Sequence, residues 1–387
     1  MWKTTMLVLS ILITKISHFL IRLFTRNPGL TWPGHLVLTL FPDILRHPAF
    51  SLSKGYIFVS GTNGKTTTAK LITHILKAQN TKVVTNKSGA NLLNGIVTEL
   101  LLDKSIFGTS HADIGVIEVD EFNLTLLLKY IEPRVLVLLN LSRDQLDRFG
   151  ETDTILERWK ESVAHLKLNT TLVLDSTQDV FKEFTTLFRG TILYFNNSLE
   201  KNLTYPLKGD FNVKNINAAT TVVTSLGIKK TKCFTALLSF DAAYGRGEKL
   251  FYKNTFYTLF LAKNPASFNN NLDILAQSDF LDTATCLFVL NDAIPDGRDV
   301  SWIYDIDATK IKTALVNKNI FISGTRAFEL ALRFKYACVN VVIENVDCNL
   351  KNVLAKITAL KVKEVVVFPN YSAMLQSRKI LTGKKIL

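Results

Sequence analysis

The chain runs to 387 residues, 47% of them hydrophobic and 20% charged, with a formal net charge of +13. That length exceeds one ordinary domain, and that balance excludes a disordered chain. The basic excess raises nucleic acid as a ligand. However, Lys and Arg are scattered among apolar segments, with no dense basic run and no aromatic–basic module, which argues against nucleic acid as the main ligand; an anionic lipid-linked substrate or an acidic partner uses the same charge equally well. The cysteines Cys233, Cys286, Cys338 and Cys348 form no CxxC pair. A four-cysteine zinc site is therefore not expected, and such thiols suit a reducing compartment, the cytoplasm.

The apolar stretch at residues 6–13 is interrupted by Lys15, His18 and Arg22 before it can span a bilayer. It predicts a helix over 7–23, either docked on the body of the protein or lying on the inner face of the membrane. Asn27-Pro28-Gly29 marks a turn, and Pro33, Pro42 and Pro48 punctuate the segment that follows. From Tyr56 short β-branched or Leu-rich runs at 57–60, 82–86, 114–119, 135–140, 171–175 and 191–195 alternate with helical patterns such as 65–79 and 152–168. That alternation predicts a doubly wound α/β domain with its site at the carboxyl ends of a parallel sheet. A second alternation has strands at 257–262, 286–290, 319–323, 340–344 and 365–368 and helices at 326–336 and 350–360. The expected organisation is an N-terminal helical segment (1–50), a central ATP-binding domain (51–248) and a smaller Rossmann-like α/β domain (249–387).

The strongest chemical signal is Gly61-Thr62-Asn63-Gly64-Lys65-Thr66-Thr67-Thr68, which follows the first strand and opens a helix. Small residues let successive backbone N–H groups converge on phosphate oxygens at the positive end of the helix. Lys65 would reach the outer phosphates and the Thr66 hydroxyl a Mg²⁺ ion. A strict Walker loop has glycine where Val59 stands, so this is a shortened variant. Ile117-Glu118-Val119-Asp120-Glu121 closes a strand beside it. Carboxylates there are natural ligands for the metal that bridges the phosphates, although Asp120 and Glu121 are equally readable as solvated acids.

GTNGKTTT resembles the ATP loop of the Mur ligases, which join amino acids or ammonia to carboxylates through an acyl phosphate. The resemblance implies Glu118 as metal ligand. Asn140 through Glu151, with Arg143-Asp144-Gln145-Leu146-Asp147-Arg148, resembles the family's next motif. Gln145 stands where amino-acid-adding members carry a histidine that helps hold a second metal. RDQxDR is instead typical of the branch formed by the MurT subunits of lipid II isoglutaminyl synthase. Gly209-Asp210-Phe211-Asn212 with Asn215, Ala218 and Ala219 resembles the family's adenine-side helix, which implies nucleotide contacts from Asn212 and Asn215. Tyr244-Gly245-Arg246-Gly247-Glu248 matches the hinge, which implies that Arg246 contacts phosphate. Many relatives insert a zinc ribbon ahead of Gly209; residues 195–209 are too few for it, so no zinc is expected.

Three segments of the last domain look specific to that branch: Ala262 to Ala266, Asn291 to Asp305 with its Arg298-Asp299-Val300-Ser301-Trp302 cluster, and Pro369 to Met374. The resemblance further implies a heterodimer with a GatD-like glutamine amidotransferase subunit. Asp347 is the best match for an aspartate that completes the partner's Cys–His triad. The implied reaction is ATP-dependent amidation of the D-glutamate α-carboxylate in lipid II to D-isoglutamine. The expected catalytic set is Asp347, Lys65, Glu118 and Arg246. The nucleotide set is Gly61, Thr62, Asn63, Gly64, Lys65, Thr66, Thr67, Asn212, Asn215 and Arg246, with Thr66 and Glu118 on Mg²⁺. Another Mur-like ligase acting on a different carboxylate, and a non-enzymatic ATP-gated scaffold, stay open at this point.

Overall fold

The computed structural model describes residues 2–24, 31–86, 90–141, 152–199, 207, 209–240, 245–277 and 284–383. The Arg143–Arg148 motif and Tyr244 lie outside them. Among the described residues the strands make two six-stranded sheets.

The first sheet contains β1 (Tyr56–Ser60), β2 (Val83–Val84), β3 (Ile114–Glu118), β4 (Val135–Leu138), β5 (Thr171–Asp175) and β6 (Thr191–Phe195), in the order β2-β3-β1-β4-β5-β6. All its pairings are parallel. A parallel sheet is covered on both faces, so its strands are apolar throughout yet still alternate between two cores. Tyr56 and Phe58 face a core that includes Ile117, Leu136, Leu138 and Trp159. Ile57 and Val59 face one built with Leu71, Ile72, Ile75, Ile216 and Val223 from the helices Lys65–Ala78 and Asp210–Ser225.

The N-terminal segment is no separate unit. Leu7 and Ile11 of the helix Trp2–Phe24, Val37 of the helix Trp32–Leu40, and Ile44, Leu45 and Phe50 all belong to the first of those cores. The expected helix over 7–23 is therefore present and longer, and its first half is docked.

The second sheet contains β7 (Arg246–Tyr252), β8 (Thr255–Phe260), β9 (Thr285–Val289), β10 (Asn319–Ser323), β11 (Val346–Asp347) and β12 (Glu364–Pro369), in the order β11-β10-β9-β12-β8-β7. β7 pairs antiparallel with β8 and carries a register shift between Arg246 and Glu248. Sequence patterning missed β7, and the expected boundary after residue 248 falls inside it. The strand expected at 340–344 is also absent. Val342 and Ile343 are exposed, Ile343–Asn345 forms a 3₁₀ turn, and the ladder to β10 is made two residues later through Ile322–Val346 and Ser323–Asp347. A run of β-branched residues satisfies strand propensity, but a strand also needs a neighbouring edge in register.

Candidate active site

β1 delivers Gly61 to Thr68 at the carboxyl edge of the first sheet, and the helix Lys65–Ala78 starts within it. Gly61 and Gly64 sit at φ 137° and 91°, conformations that L side chains rarely adopt. A Cβ at Gly61 would lie 2.9 Å from the Asn140 carbonyl oxygen, and one at Gly64 only 2.3 Å from Asn215 Oδ1. The loop is thus closed by its neighbours, and only glycine fits the two turning points.

Asn140 is the residue that holds it. Thr62 N–H donates to the Asn140 carbonyl (3.0 Å), Asn63 N–H donates to Asn140 Oδ1 (2.9 Å), and Asn140 Nδ2 donates to the Asn63 carbonyl (2.9 Å). They follow directly on β4: Leu139 N–H still donates to the Ser60 carbonyl at 3.0 Å, and Asn140 then braces the loop. Asn215, on the helix Asp210–Ser225, accepts from Thr68 Oγ1 at 3.3 Å. Asn212, buried one turn earlier on that helix, stands on the same side of the sheet.

Lys65 is buried, and its ammonium donates to the Gly61 and Thr62 carbonyls and, at 3.0 Å, to Glu121 Oε2. Glu121 is equally buried and opens the helix Glu121–Leu128, which Asp120 caps by accepting from Phe122 N–H and Asn123 N–H. The fully buried Trp159 donates its indole N–H to the Glu121 carbonyl at 2.9 Å. Sequence reading left Glu121 as a possible solvated acid. Its position next to a strand-end Asp gave no sign that it meets Lys65 across 56 residues.

Glu118 ends β3 and pairs in register with Val59, two residues before the loop. Asn86 fixes it from the other side: Glu118 N–H donates to Asn86 Oδ1 (2.9 Å) and Asn86 Nδ2 donates to the Glu118 carbonyl (2.7 Å). The Asn86 side chain thereby continues the ladder where β2 has stopped. Glu118 and the half-buried Thr66 supply hard oxygen donors beside the phosphate cradle. That set fits Mg²⁺, which takes one or two protein oxygens and completes its shell with phosphate and water. Among the described residues no three His, Cys, Asp or Glu side chains converge on a metal position.

The second sheet reaches into this site through its edge strand. Arg246 Nη1 donates to Thr67 Oγ1 at 3.0 Å, and Asn264 Nδ2 approaches Asn63 Oδ1 at 3.4 Å. Burial lowers the pKa of the Arg246 guanidinium, and the nearby Glu118 charge opposes that shift. An arginine so placed stays cationic and faces the loop. Sequence reasoning missed what holds it. Glu248 lies two residues on, and Arg378 of the helix Tyr371–Thr382 grips it through Nε–Oε2 at 2.8 Å and Nη2–Oε1 at 2.7 Å. Glu248 Oε2 also accepts from Gly245 N–H at 3.1 Å. A bidentate pair of this kind fixes direction as well as distance.

At the carboxyl ends of β9, β10 and β12 the branch-specific segments form an amide network. Asn370 Nδ2 donates to the Asn291 carbonyl, Asn291 Nδ2 to Ser372 and Gln376, and Thr325 N–H to Asn291 Oδ1. Ser372 N–H donates to Asp296, whose carboxyl is raised by burial against that bond. The Arg298-to-Trp302 cluster is structural: Asp299 accepts from Ser301 N–H in a tight turn, and Trp302 packs in the core near Phe268.

Asp347 is the one expected catalytic residue that stands apart. It lies on β11, the opposite edge from β7, so five strand spacings, about 24 Å, separate it from Arg246. Asn349 N–H and Asn352 Nδ2 donate to its two oxygens and hold its carboxyl below the usual range, so it is ionised at neutral pH. Phe328, Leu332 and Tyr336, one turn apart on the helix Ala327–Tyr336, are exposed, as are Val342 and Ile343 ahead of β11.

The Mur ligase middle domain model matches residues 59–202, and the MurT ligase C-terminal model matches residues 261–374. The lipid II isoglutaminyl synthase (glutamine-hydrolyzing) subunit MurT of Staphylococcus aureus (strain COL) is 30% identical, over 89% of this chain and 91% of that one. The chain belongs to the MurT family. Its counterpart in Streptococcus pneumoniae (strain ATCC BAA-255 / R6) is 28% identical over 100% of this chain and 98% of its own. Among solved structures, MurF ligase from Thermotoga maritima in complex with ADP superposes with a TM-score of 0.69 at 19% identity, over 89% of this chain and 82% of that one. Mycobacterium tuberculosis folylpolyglutamate synthase, complexed with ADP and AMPPCP, gives 0.66 at 14%, over 96% and 100%. The Mur ligase fold is thus shared well beyond the MurT family.

Proposed function

We propose that this chain is the ATP-consuming subunit of a lipid II isoglutaminyl synthase. In that reading it amidates the α-carboxylate of D-glutamate in the stem peptide with ammonia released by a GatD-like glutaminase partner in the cytoplasm. The convergence of Lys65, Glu118 and Arg246 on one glycine cradle carries the reading, together with membership of a family whose named relatives are subunits of that enzyme.

The chain's own groups have separable tasks. The cradle N–H groups and Lys65 bind and orient the triphosphate, and Arg246 faces the phosphoryl group to be transferred. Thr66 and Glu118 would hold Mg²⁺, which would supply neutralisation of phosphate charge. A substrate carboxylate oxygen takes the γ-phosphoryl group as its bond to ADP breaks. Ammonia then attacks the carbonyl carbon, phosphate leaves, and a proton is released. Activation is required because an oxide is a poor leaving group. The contact between Asn264 and the loop supports the second sheet as the cover that keeps water from the acyl phosphate.

Asp347 has no task at that centre. Its ionised carboxylate, clamped by two N–H donors beside exposed apolar residues, suits a residue that orients a partner's histidine. The purified pair, given ATP, glutamine and lipid II, should yield lipid II lighter by about one dalton, the change from acid to amide. ATP consumption that needs a free amino acid instead of glutamine would identify another Mur-like ligase, and nucleotide binding without turnover would identify a scaffold.

A further inference from the structure

The helix Trp2–Phe24 has two apolar faces. Leu7, Ser10, Ile11 and Thr14 turn inward and are buried. Leu9, Ile16, Phe19, Leu20, Leu23 and Phe24 turn outward, with Phe19 64% and Phe24 79% exposed. The helix Trp32–Leu40 packs against it and repeats the pattern: Trp32, Leu36 and Leu40, one turn apart, are exposed. The turn at Ile106–Gly108, whose glycine abuts Leu7, adds Phe107, 91% exposed. Single exposed apolar residues are ordinary, but stripes on two adjoining helices plus a neighbouring loop form a patch that seeks a cover.

The charge around the patch indicates the cover. Lys15 and Arg22 lie on the helix that carries the outward stripe, and the first 42 residues of the sequence contain no acidic residue; Asp43 is the first. Ser17, on the outer half of the helix, donates to the Ile13 carbonyl one turn earlier, which lessens the penalty of placing its hydroxyl in lipid. Large aromatic and aliphatic side chains flanked by cations suit the headgroup boundary of an anionic bilayer.

We infer that the outward face of these two helices is a docking surface for an anionic membrane leaflet, lying in the interface and not crossing it. The helix is long and apolar enough to cross by composition. However, its first half is committed to the protein core, and residues Ile16 to Phe24 rise only about 13 Å. That is less than half the ~30 Å of a hydrocarbon core. This inference goes beyond the proposed chemistry and depends on none of the ATP-site residues. A protein held there meets a lipid-linked substrate in two dimensions.

The test is flotation of the full chain with vesicles. Phosphatidylglycerol-containing vesicles should carry it up the gradient, and pure phosphatidylcholine should bind roughly tenfold more weakly. The combined exposed-face variant Phe19→Ser, Leu23→Ser, Phe24→Ser should stay at the bottom while binding ATP as the wild type does. Lys15→Glu with Arg22→Glu should lower binding to the anionic vesicles by roughly tenfold or more and lessen its salt sensitivity. Alkaline carbonate should release the wild type from vesicles. The inference is overturned if the wild type does not float, if the exposed-face variant floats equally well, or if carbonate fails to release the protein, which indicates a spanning helix. It is equally overturned if light scattering shows a dimer that the same variant splits, which assigns the patch to a second copy. ATP binding is read separately, so failure of the ATP-site assignment is distinguishable from failure here.

Discussion

The carboxyl ends of the two sheets are built to the same plan and filled with opposite chemistry. At the first, charged groups are taken out of water: Lys65, Glu118, Asp120 and Glu121 are all buried within one loop and one strand end. At the second, neutral amides predominate: that of Asn370 bonds the Asn291 backbone, that of Asn264 bonds Ser267, Asp296 is the buried carboxyl among them, and the ionised Asp347 sits at the rim. Burying charge is unfavourable unless function uses it, whereas an amide network fixes shape at little electrostatic penalty. In the proposed reading the first sheet is the seat of phosphoryl chemistry and the second a positioning body that carries the ionised Asp347 at its outer edge.

The sharpest way to break that comparison is Asp347→Asn. Glutamine-driven amidation by the complex should fall on the order of 10⁴-fold, as when a triad loses its orienting charge. Amidation from added ammonium chloride should persist. If both fall together, Asp347 belongs to the ATP centre and the separation is wrong. Lys65→Ala should lower turnover from either nitrogen source by about 10²–10³-fold, as when a transition-state donor is lost. Stopped assays of phosphate release check it. Glu121→Ala leaves a buried ammonium without its carboxylate, so urea unfolding should show a loss of about 3 kcal/mol, together with weaker ATP binding. An unchanged midpoint would return Glu121 to the solvated acids.

Smaller effects refine the contact between the two regions. Arg378→Ala releases Glu248 and lets Arg246 turn away; the KM for ATP should rise about tenfold, the value of one charge-assisted hydrogen bond, and stability should fall by about 1–3 kcal/mol because Glu248 loses its bidentate partner. A last test concerns Lys104, buried over the Phe50 ring and donating to the Ala49 carbonyl, whose pKa burial lowers to about 8. Between about pH 8 and its ordinary value the unfolded chain binds the extra proton, so stability should climb with pH by up to about 3 kcal/mol over that window. Lys104→Met should flatten the slope, and melting curves measured across the range decide it.

Much of this was legible in the sequence, for definite physical reasons. The glycine cradle and Lys65 announce themselves through local requirements: positive φ, a strand before, a helix after; the roles of Glu118 and Arg246 come only as what the resemblance to the Mur ligase motifs implies. The parallel strands of both sheets show in the alternation of short β-branched runs with helical patterns; the antiparallel edge strand β7 does not. What stayed hidden depends on distant partners. Asn140 and Asn86 are single amides whose role exists only because β4 and β2 end beside the loop and Glu118. Arg378 meets Glu248 across 130 residues. β7 was missed because its glycine-bearing start looks like a hinge, and β11 because two residues carry no period.

The order of the second sheet has a mechanical corollary. Arg246 and Asp347 sit on its two outermost strands, so the sheet is a crossbar pivoted at one end on the nucleotide loop. A turn of about 10° at β7 sweeps the far rim through about 4 Å, given a width of five strand spacings. That arc exceeds the length of a hydrogen bond, so contacts that cross to the loop, such as Arg246–Thr67 and Asn264–Asn63, limit how far the rim can swing.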